Sequence, residues 1–312
     1  MVLKNKITGG NMKSEVIKLI EGRDDVTLTT YILDSSSETI GEARRPAVLI
    51  CPGGAYLCCS DREAEPVALA FARMGYQAFV LRYSIYGAHA FAQKAPIPER
   101  KECIHPAPML DIARAFVCIH QHAGEWRVDT DRIAICGFSA GGHNCAMYST
   151  HWSKPIITEN LKVDKSLLKP AACILGYPLT DYQYMKDSVS GDEGAEELFD
   201  KGNTALLGSN WKNDDKLLEL SPARKVDKDV PPTFIWATSE DNLVPVAHST
   251  MYATALANQG IPFEIHIFEE GEHGLAMSDQ STAGRKSEIN KDAAQWINLC
   301  SEWLLKRFSL EI

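Results

Sequence analysis

No run of apolar residues in this 312-residue chain approaches the roughly 18 that a membrane-spanning helix needs, so no membrane partner is expected. Basic charge is also scarce. Lys and Arg number 32 against 41 Asp and Glu, a formal net charge of −9. That balance argues against a nucleic-acid partner, whose phosphates select a Lys/Arg face, and leaves a neutral or cationic small molecule open. Met1 to Leu19 mixes lysine, glycine and asparagine with short apolar pieces. It lacks a continuous apolar segment followed by a small-residue cleavage site, so no secretory signal is read and a cytoplasmic location is expected.

The nine cysteines lack the spacing of a disulfide framework or a metal cage. They are odd in number and scattered. Cys118, Cys136, Cys173 and Cys300 fall in apolar strand or helix contexts, which reads as a reducing compartment with thiols used as small buried hydrophobes. Cys58 and Cys59 are adjacent, the wrong geometry for an ordinary disulfide and too few ligands for zinc. Internal repeats and low-complexity segments are missing. So are the Gly-x-Gly-x-x-Gly of a dinucleotide fold and the Gly-Lys-Ser/Thr of a P-loop.

What is present is the composition of an ordinary globular protein, 45% hydrophobic and 23% charged, long enough to bury a large core. Two β-rich segments, Val16 to Ile20 and Val26 to Leu33, are separated by Gly22, Asp24 and Asp25 and predict an antiparallel start. Strand and helix patterns then alternate. Strands are predicted at Ala47 to Cys51, Tyr76 to Tyr83, Ile133 to Cys136, Ala172 to Tyr177, Thr233 to Ala237 and Phe263 to Phe268. Several are continuously apolar, as strands covered on both faces are. Helices are predicted at Glu65 to Met74, Ala107 to His122, Ala140 to about Tyr148, Pro245 to Asn258 and Asn290 to Phe308. This order specifies an α/β protein with a mostly parallel, doubly wound sheet of about eight strands and helices on both faces. Residues 1–312 read as a single domain. Residues 181–230 break the alternation with a long polar excursion, either a lid or cap insertion or a surface segment without function.

Gly137-Phe138-Ser139-Ala140-Gly141 contains Gly-x-Ser-x-Gly, placed between an apolar strand and a small-residue helix start. A serine hydroxyl is a poor nucleophile and must project from a tight strand-to-helix turn towards a base. That turn strains the backbone at the serine and tolerates almost no side chain beside it. His273 lies on the Gly-flanked loop after the last predicted strand, where it can reach a site at the sheet's carboxyl edge. The exit loop of the Thr233 to Ala237 strand offers Asp241 as the acid, with Glu240 beside it as the alternative. The order Ser139, Asp241, His273 is that of the α/β-hydrolase fold. Small residues in Pro52-Gly53-Gly54-Ala55-Tyr56 let Gly54 and Ala55 act with Ala140 as oxyanion donors. His120 and His122 lie on different faces of a helix and make a poor metal pair. His143 is expected to pack or hydrogen-bond beneath the serine turn.

The stretches ICPGGAYLCCSDREAEPVALAFARMGYQAFVLRYS, ICGFSAGGH, SEDNLVPVAHS and EEGEHGLAM resemble the bacterial acetyl-esterase and feruloyl-esterase-like branch of the α/β-hydrolases. Members of that branch are often labelled acetyl xylan esterase or carbohydrate esterase. The related hormone-sensitive-lipase branch carries His-Gly-Gly-Gly at the oxyanion loop, where this chain has Pro52 and Ala55 at the first and last places. The resemblance implies the α/β-hydrolase fold, and Gly54, Ala55 and Ala140 as the oxyanion positions.

Sequence and resemblance together give a serine carboxylester hydrolase as the expectation. It would remove acetyl or another short acyl group from a carbohydrate, with a small-molecule or oligosaccharide ester as substrate and without metal or organic cofactor. An amidase or formamidase would use the same triad, and an inactive ligand-binding relative would keep the same fold. Tyr56, Tyr177 and Trp152 are candidate substrate contacts, and Tyr182, Tyr184 and Trp211 are further aromatics able to line a sugar site. Homo-oligomerisation is left open.

Overall fold

Alternate residues of a strand face opposite sides of its sheet, and an apolar residue on each side must be covered. The computed structural model describes residues 12–35 and 43–309. Its strands are β1 (Val16–Ile20), β2 (Arg23–Tyr31), β3 (Arg45–Cys51), β4 (Gln77–Arg82), β5 (Val128–Phe138), β6 (Ala172–Gly176), β7 (Thr233–Thr238) and β8 (Phe263–Phe268). The helices are α1 (Glu65–Arg73), α2 (Ala107–Gln121), α3 (Ser139–His151), α4 (Pro155–Leu161), α5 (Tyr182–Ser188), α6 (Glu193–Leu207), α7 (Asp214–Glu219), α8 (Ala247–Asn258) and α9 (Trp296–Phe308). The strands form one eight-stranded sheet in the order β1-β2-β4-β3-β5-β6-β7-β8. β1, β2 and β4 pair antiparallel, and every pairing from β4 to β8 is parallel.

The alternation sorts the core into two layers. Leu49, Phe79, Leu81, Ile135, Leu175 and Ile235 face one side, with Phe116 and Ile119 of α2 and Tyr252 and Leu256 of α8. Val48, Ile50, Val80, Ile174, Phe234 and Trp236 face the other, with Val67 and Phe71 of α1 and Trp296, Trp303 and Phe308 of α9. Burying each such large side chain contributes about 1.5–3 kcal/mol, which is why these strands need no polar face. All nine cysteines are free thiols, and seven of them, Cys136 and Cys173 among them, are buried.

Several element boundaries differ from the sequence reading, three of them for an evident physical reason. β2 begins at Arg23 and includes Asp24 and Asp25, because Ile20 pairs with Arg23. Only Glu21 and Gly22 then make the hairpin turn, with Gly22 at φ +77°, and a two-residue loop demands a positive φ. β5 runs back to Val128, extended by the pairing of Arg45 with Val128 across a register shift. The C-terminal helix starts at Trp296, after a 3-10 turn at Ala293–Gln295, because Asn290 Oδ1 accepts from the amides of Asp292 and Ala293 and turns the chain there. Of the Met1 to Leu19 segment in which no secretory signal is read, residues 1–11 lie outside the described residues.

The topology positions the site. From β3 the chain goes to β4 on one side and later to β5 on the other, which opens a crevice at the carboxyl ends of β3 and β5. The loop after β3, the turn after β5 and the loops after β7 and β8 all emerge at that edge. Residues 181–230, between β6 and β7, form α5, α6, α7 and a short 3-10 turn at Pro222–Arg224.

Candidate active site

The turn from β5 into α3 is as tight as its glycines allow. Ser139 sits at φ 52°, a left-handed conformation that L residues rarely adopt. A Cβ on Gly137 would lie 2.3 Å from the Gly141 carbonyl oxygen, and one on Gly141 would lie 2.0 Å from the Cys51 carbonyl oxygen. Both positions are therefore closed to any side chain, and Ser139 is held at the N-terminus of α3, where helix amides and dipole favour negative charge.

Three predicted residues meet there. His273 Nε2 lies 2.8 Å from Ser139 Oγ, and His273 Nδ1 lies 2.7 Å from Asp241 Oδ2. The other Asp241 oxygen accepts from the amides of Leu243 at 3.0 Å and Val244 at 2.9 Å, so its carboxylate is fixed by the loop it sits on. Glu240, the alternative acid, points elsewhere: it is exposed and accepts from the Gly271 amide at 3.1 Å. The His273 loop is pinned on both sides. Thr238 Oγ1 donates to the Gly271 carbonyl at 2.7 Å, Asn290 Nδ2 to Glu270 O at 2.8 Å, and the Trp296 indole to Ala276 O at 2.9 Å.

The loop after β3 runs beside the serine. A Cβ on Gly53 would meet Ser139 Cβ at 2.8 Å, and Gly54 takes φ +131°, so small residues are required for the two backbones to approach. Among the described residues, no acceptor engages the amides of Gly54 and Ala55, whereas the Gly53 amide donates to Glu63 at 2.6 Å. Ala140 belongs to the first turn of α3, whose amides have no intrahelical acceptor.

An apolar cavity of about 60 Å³ opens beside Ser139. Ala55, Tyr56 and Ala140 line it from the sheet side, and Tyr182, Met185, Ala195, Leu198, Phe199 and Gly202 cover it from α5 and α6. A wider groove of about 680 Å³ lies on the outer side of α6, lined by charged and apolar side chains including Lys94, Lys186, Glu193, Glu197, Phe199 and Trp211, and it includes none of Ser139, Asp241 and His273.

The sequence profile of the BD-FAE family matches residues 33–256, most of the chain and the segment that holds Ser139, Asp241 and the loop after β3. The chain belongs to the BD-FAE family. Its solved α/β-hydrolase neighbours include a carboxylesterase from Lactobacillus plantarum, 27% identical, with a TM-score of 0.77 over 95% of this chain and 98% of that one. They also include an acetyl ester-xyloside bifunctional hydrolase from Caldicellulosiruptor lactoaceticus, 30% identical, with a TM-score of 0.70 over 95% and 97%. Among curated relatives, endo-1,4-beta-xylanase B of Butyrivibrio fibrisolvens is 32% identical over 240 residues, 76% of this chain and 34% of that protein. This BD-FAE chain spans a third to a half of the length of the curated relatives it matches.

The aromatic residues proposed as substrate contacts part company in this BD-FAE chain. Tyr56 and Tyr182 line the cavity. Tyr56 is tied down by His143, whose Nδ1 lies 2.5 Å from the Tyr56 hydroxyl and whose Nε2 lies 2.8 Å from Leu220 O. Burial pushes the His143 imidazole down to about 3, so it is neutral, with Nε2–H donating to Leu220 and Nδ1 accepting from Tyr56. His143, expected to pack or hydrogen-bond, does both: besides these bonds its ring stands edge-on to Tyr56 and Tyr182. Tyr177 stands behind the site, its ring edge-on to His273 at a centroid distance of 5.0 Å. Trp152 requires correction: it caps the far end of α3, thirteen residues beyond Ser139 and so about 20 Å along the helix, with its indole bonded to Asp229 O. Tyr184 packs against His248, and Trp211 lines the outer groove. Among the described residues, no group of three or more His, Cys, Asp or Glu side chains could hold a metal ion, and no helix is long and apolar enough to cross a membrane.

One polar residue escaped the sequence reading. Glu63 is 4% exposed, with both oxygens bonded, one to the Gly53 amide and the other to the Tyr177 hydroxyl at 2.7 Å. In sequence it stands among Asp61 and Glu65 at the start of α1, where acidic residues are common, and nothing in the pattern singles it out.

Proposed function

We propose that this chain is a serine carboxylester hydrolase that removes acetyl or another short acyl group, with a carbohydrate as the favoured alcohol. The observation that carries the reading is the continuous hydrogen-bonded series Ser139–His273–Asp241 opening onto an apolar cavity of about 60 Å³. Ser139 Oγ attacks the ester carbonyl while His273 Nε2 takes its proton. Asp241 holds the imidazole with its proton on Nδ1 and stabilises the cation that forms. The amides of Gly54, Ala55 and Ala140 receive the developing oxyanion. The tetrahedral intermediate then collapses, the alcohol leaves with the proton from His273, and the acyl group remains on Ser139. Water, deprotonated by His273, hydrolyses that ester and regenerates the serine.

The cavity decides acyl size. Pockets for drug-sized ligands span roughly 300–1,000 Å³, far more than is enclosed here. Its lining is almost wholly apolar, which suits a methyl or short alkyl group and rejects a polar one. In this reading residues 181–230 act as a cap within one hydrolase unit, because α5 and α6 supply the roof of the acyl cavity. The carbohydrate part draws support from the relatives named for xylanase and for acetyl ester-xyloside hydrolysis.

The test is hydrolysis of p-nitrophenyl acetate and of acetylated xylo-oligosaccharides by the wild type and by Ser139→Ala. The reading expects turnover of both by the wild type and background rates from the variant. Full activity in the variant, or a wild type that cleaves anilides and formamides but no ester, overturns it.

A further inference from the structure

A buried carboxylate with two donors and no cation within hydrogen-bond reach is costly, so what its bonds hold in place becomes the question. Glu63 meets that description. Its Oε2 accepts from the Gly53 amide at 2.6 Å and its Oε1 from the Tyr177 hydroxyl at 2.7 Å. The Tyr177 oxygen in turn accepts from the Ala276 amide at 3.0 Å, three residues beyond His273. The neighbouring cation, Arg62, is engaged elsewhere, with Glu288 at 3.1 Å and the Thr282 carbonyl.

The two arms end at the two loops that meet at Ser139. Gly53 is wedged between Glu63 and Ser139: a Cβ there would sit 2.9 Å from Glu63 Oε2 and 2.8 Å from Ser139 Cβ. The amides that follow, on Gly54 and Ala55, have no acceptor among the described residues. The second arm passes through Tyr177, whose ring meets the His273 ring edge-on at 5.0 Å, and reaches the left-handed residue Ala276 (φ 53°) on the histidine loop. Glu63 itself is carried on the 3-10 turn Asp61–Glu63, which is locked to the same loop by the Ser60 amide donating to Gly53 O at 2.9 Å.

We propose that Glu63 is a positioning residue that sets the oxyanion loop and the histidine loop in register with each other through Gly53 on one side and Tyr177 on the other. Ester hydrolysis needs the oxyanion donors and the general base aligned on one carbonyl, and these come from loops far apart in the chain, after β3 and after β8. One carboxylate bonded to both removes their independent motion. Burial outweighs the bonds from Tyr177 and Gly53 and the nearby His273 and leaves the Glu63 carboxyl raised; two donors aimed at two oxygens is the pattern of the ionised form. The inference rests on the esterase reading above, because it assigns Glu63 a part in that reaction.

The test compares the wild type, Glu63→Gln, Tyr177→Phe and the double variant with p-nitrophenyl acetate. The fraction of chains labelled at completion by a fluorophosphonate gives the active fraction. Glu63→Gln keeps shape and one acceptor but cannot accept on both sides, so kcat per labelled chain is expected to fall about 10²-fold, the cost of a misplacement near 1 Å, with KM changed little. Tyr177→Phe should cut kcat by a smaller factor, and the double variant should match Glu63→Gln, since both lesions break one linkage. A buried group of purely structural importance would lower the active fraction and leave kcat per labelled chain unchanged, and that result overturns the inference. Should Glu63→Gln fail to fold, Tyr177→Phe decides: a kcat per labelled chain equal to wild type overturns the inference, and a selective fall in kcat supports it. A wild type with no esterase activity overturns the underlying reading and this inference with it, whereas an active wild type matched by its variants overturns this inference alone.

Discussion

Replacing Met185 with alanine asks whether the cavity beside Ser139 receives the acyl group. Met185 is buried on α5 and forms part of the roof over a space of about 60 Å³. Truncation to Cβ removes the thioether and enlarges that space. A butyryl group carries two methylenes more than acetyl, each worth about 0.8 kcal/mol when buried, so relief of the wall is worth about 1.6 kcal/mol, or about 15-fold in relative rate. The variant should therefore raise the butyrate-to-acetate ratio of kcat/KM by about 15-fold while acetate turnover stays within a few fold. The emptied volume should also lower stability by about 2–5 kcal/mol, visible as a reduced Tm that confirms the cavity was made. Initial rates on the p-nitrophenyl esters of the two acids give the ratio directly. A folded variant with a lowered Tm and an unchanged ratio would refute the reasoning, because the acyl chain would then lie outside this cavity.

Two further outcomes follow from the geometry. Asp241→Asn should lower kcat by about 10⁴, the loss expected when the imidazole is held in the wrong tautomer, while Glu240→Gln, which disturbs only a bond to the Gly271 amide, should stay within about threefold; paired kcat measurements decide, and the reverse ranking would move the acid by one residue. Stability should fall with acidity between pH 6.5 and 4. Burial pushes His105 to about 4, His143 to about 3 and His248 to about 4, so below about 6.5 the unfolded chain binds protons that the native state refuses, and each group withdraws about 2 kcal/mol by pH 5. Urea titrations at pH 7 and pH 5 measure this, and equal unfolding free energies at the two values would contradict it.

The sheet was legible because continuous apolar runs such as Ala47 to Cys51 and Ile133 to Cys136 have one physical use, a strand covered on both faces. Ser139 was legible for a related reason: two glycines around a serine between strand and helix are needed only where backbone passes within contact distance, as Gly141 does at Cys51. The choice between Asp241 and Glu240 was not, since both occupy one exit loop and only side-chain direction separates them. Asp24 and Asp25 read as turn residues because charge suggests a loop, yet the hairpin register put them on β2, the second strand of the sheet. Aromatic residues gave the weakest guide. Tyr56, Tyr177 and Trp152 look alike in a sequence, but one lines the cavity, one backs His273 and one closes the distant end of α3. Glu63 was invisible because its meaning lies in contacts 10 and 114 residues away, which no local pattern encodes. The role of residues 181–230 was undecided for the same reason: a polar exterior hides the apolar underside that Met185, Leu198 and Phe199 turn towards Ser139.

The central claim, that Ser139 is a nucleophile activated by His273, is tested most directly by peptide mapping after treatment with a fluorophosphonate at neutral pH. One adduct per chain is expected, on Ser139, forming in step with the loss of acetate-ester hydrolysis and absent in His273→Ala on the same timescale. An unlabelled Ser139 in a folded chain that still hydrolyses the ester, or an adduct on another residue that abolishes activity, would contradict it.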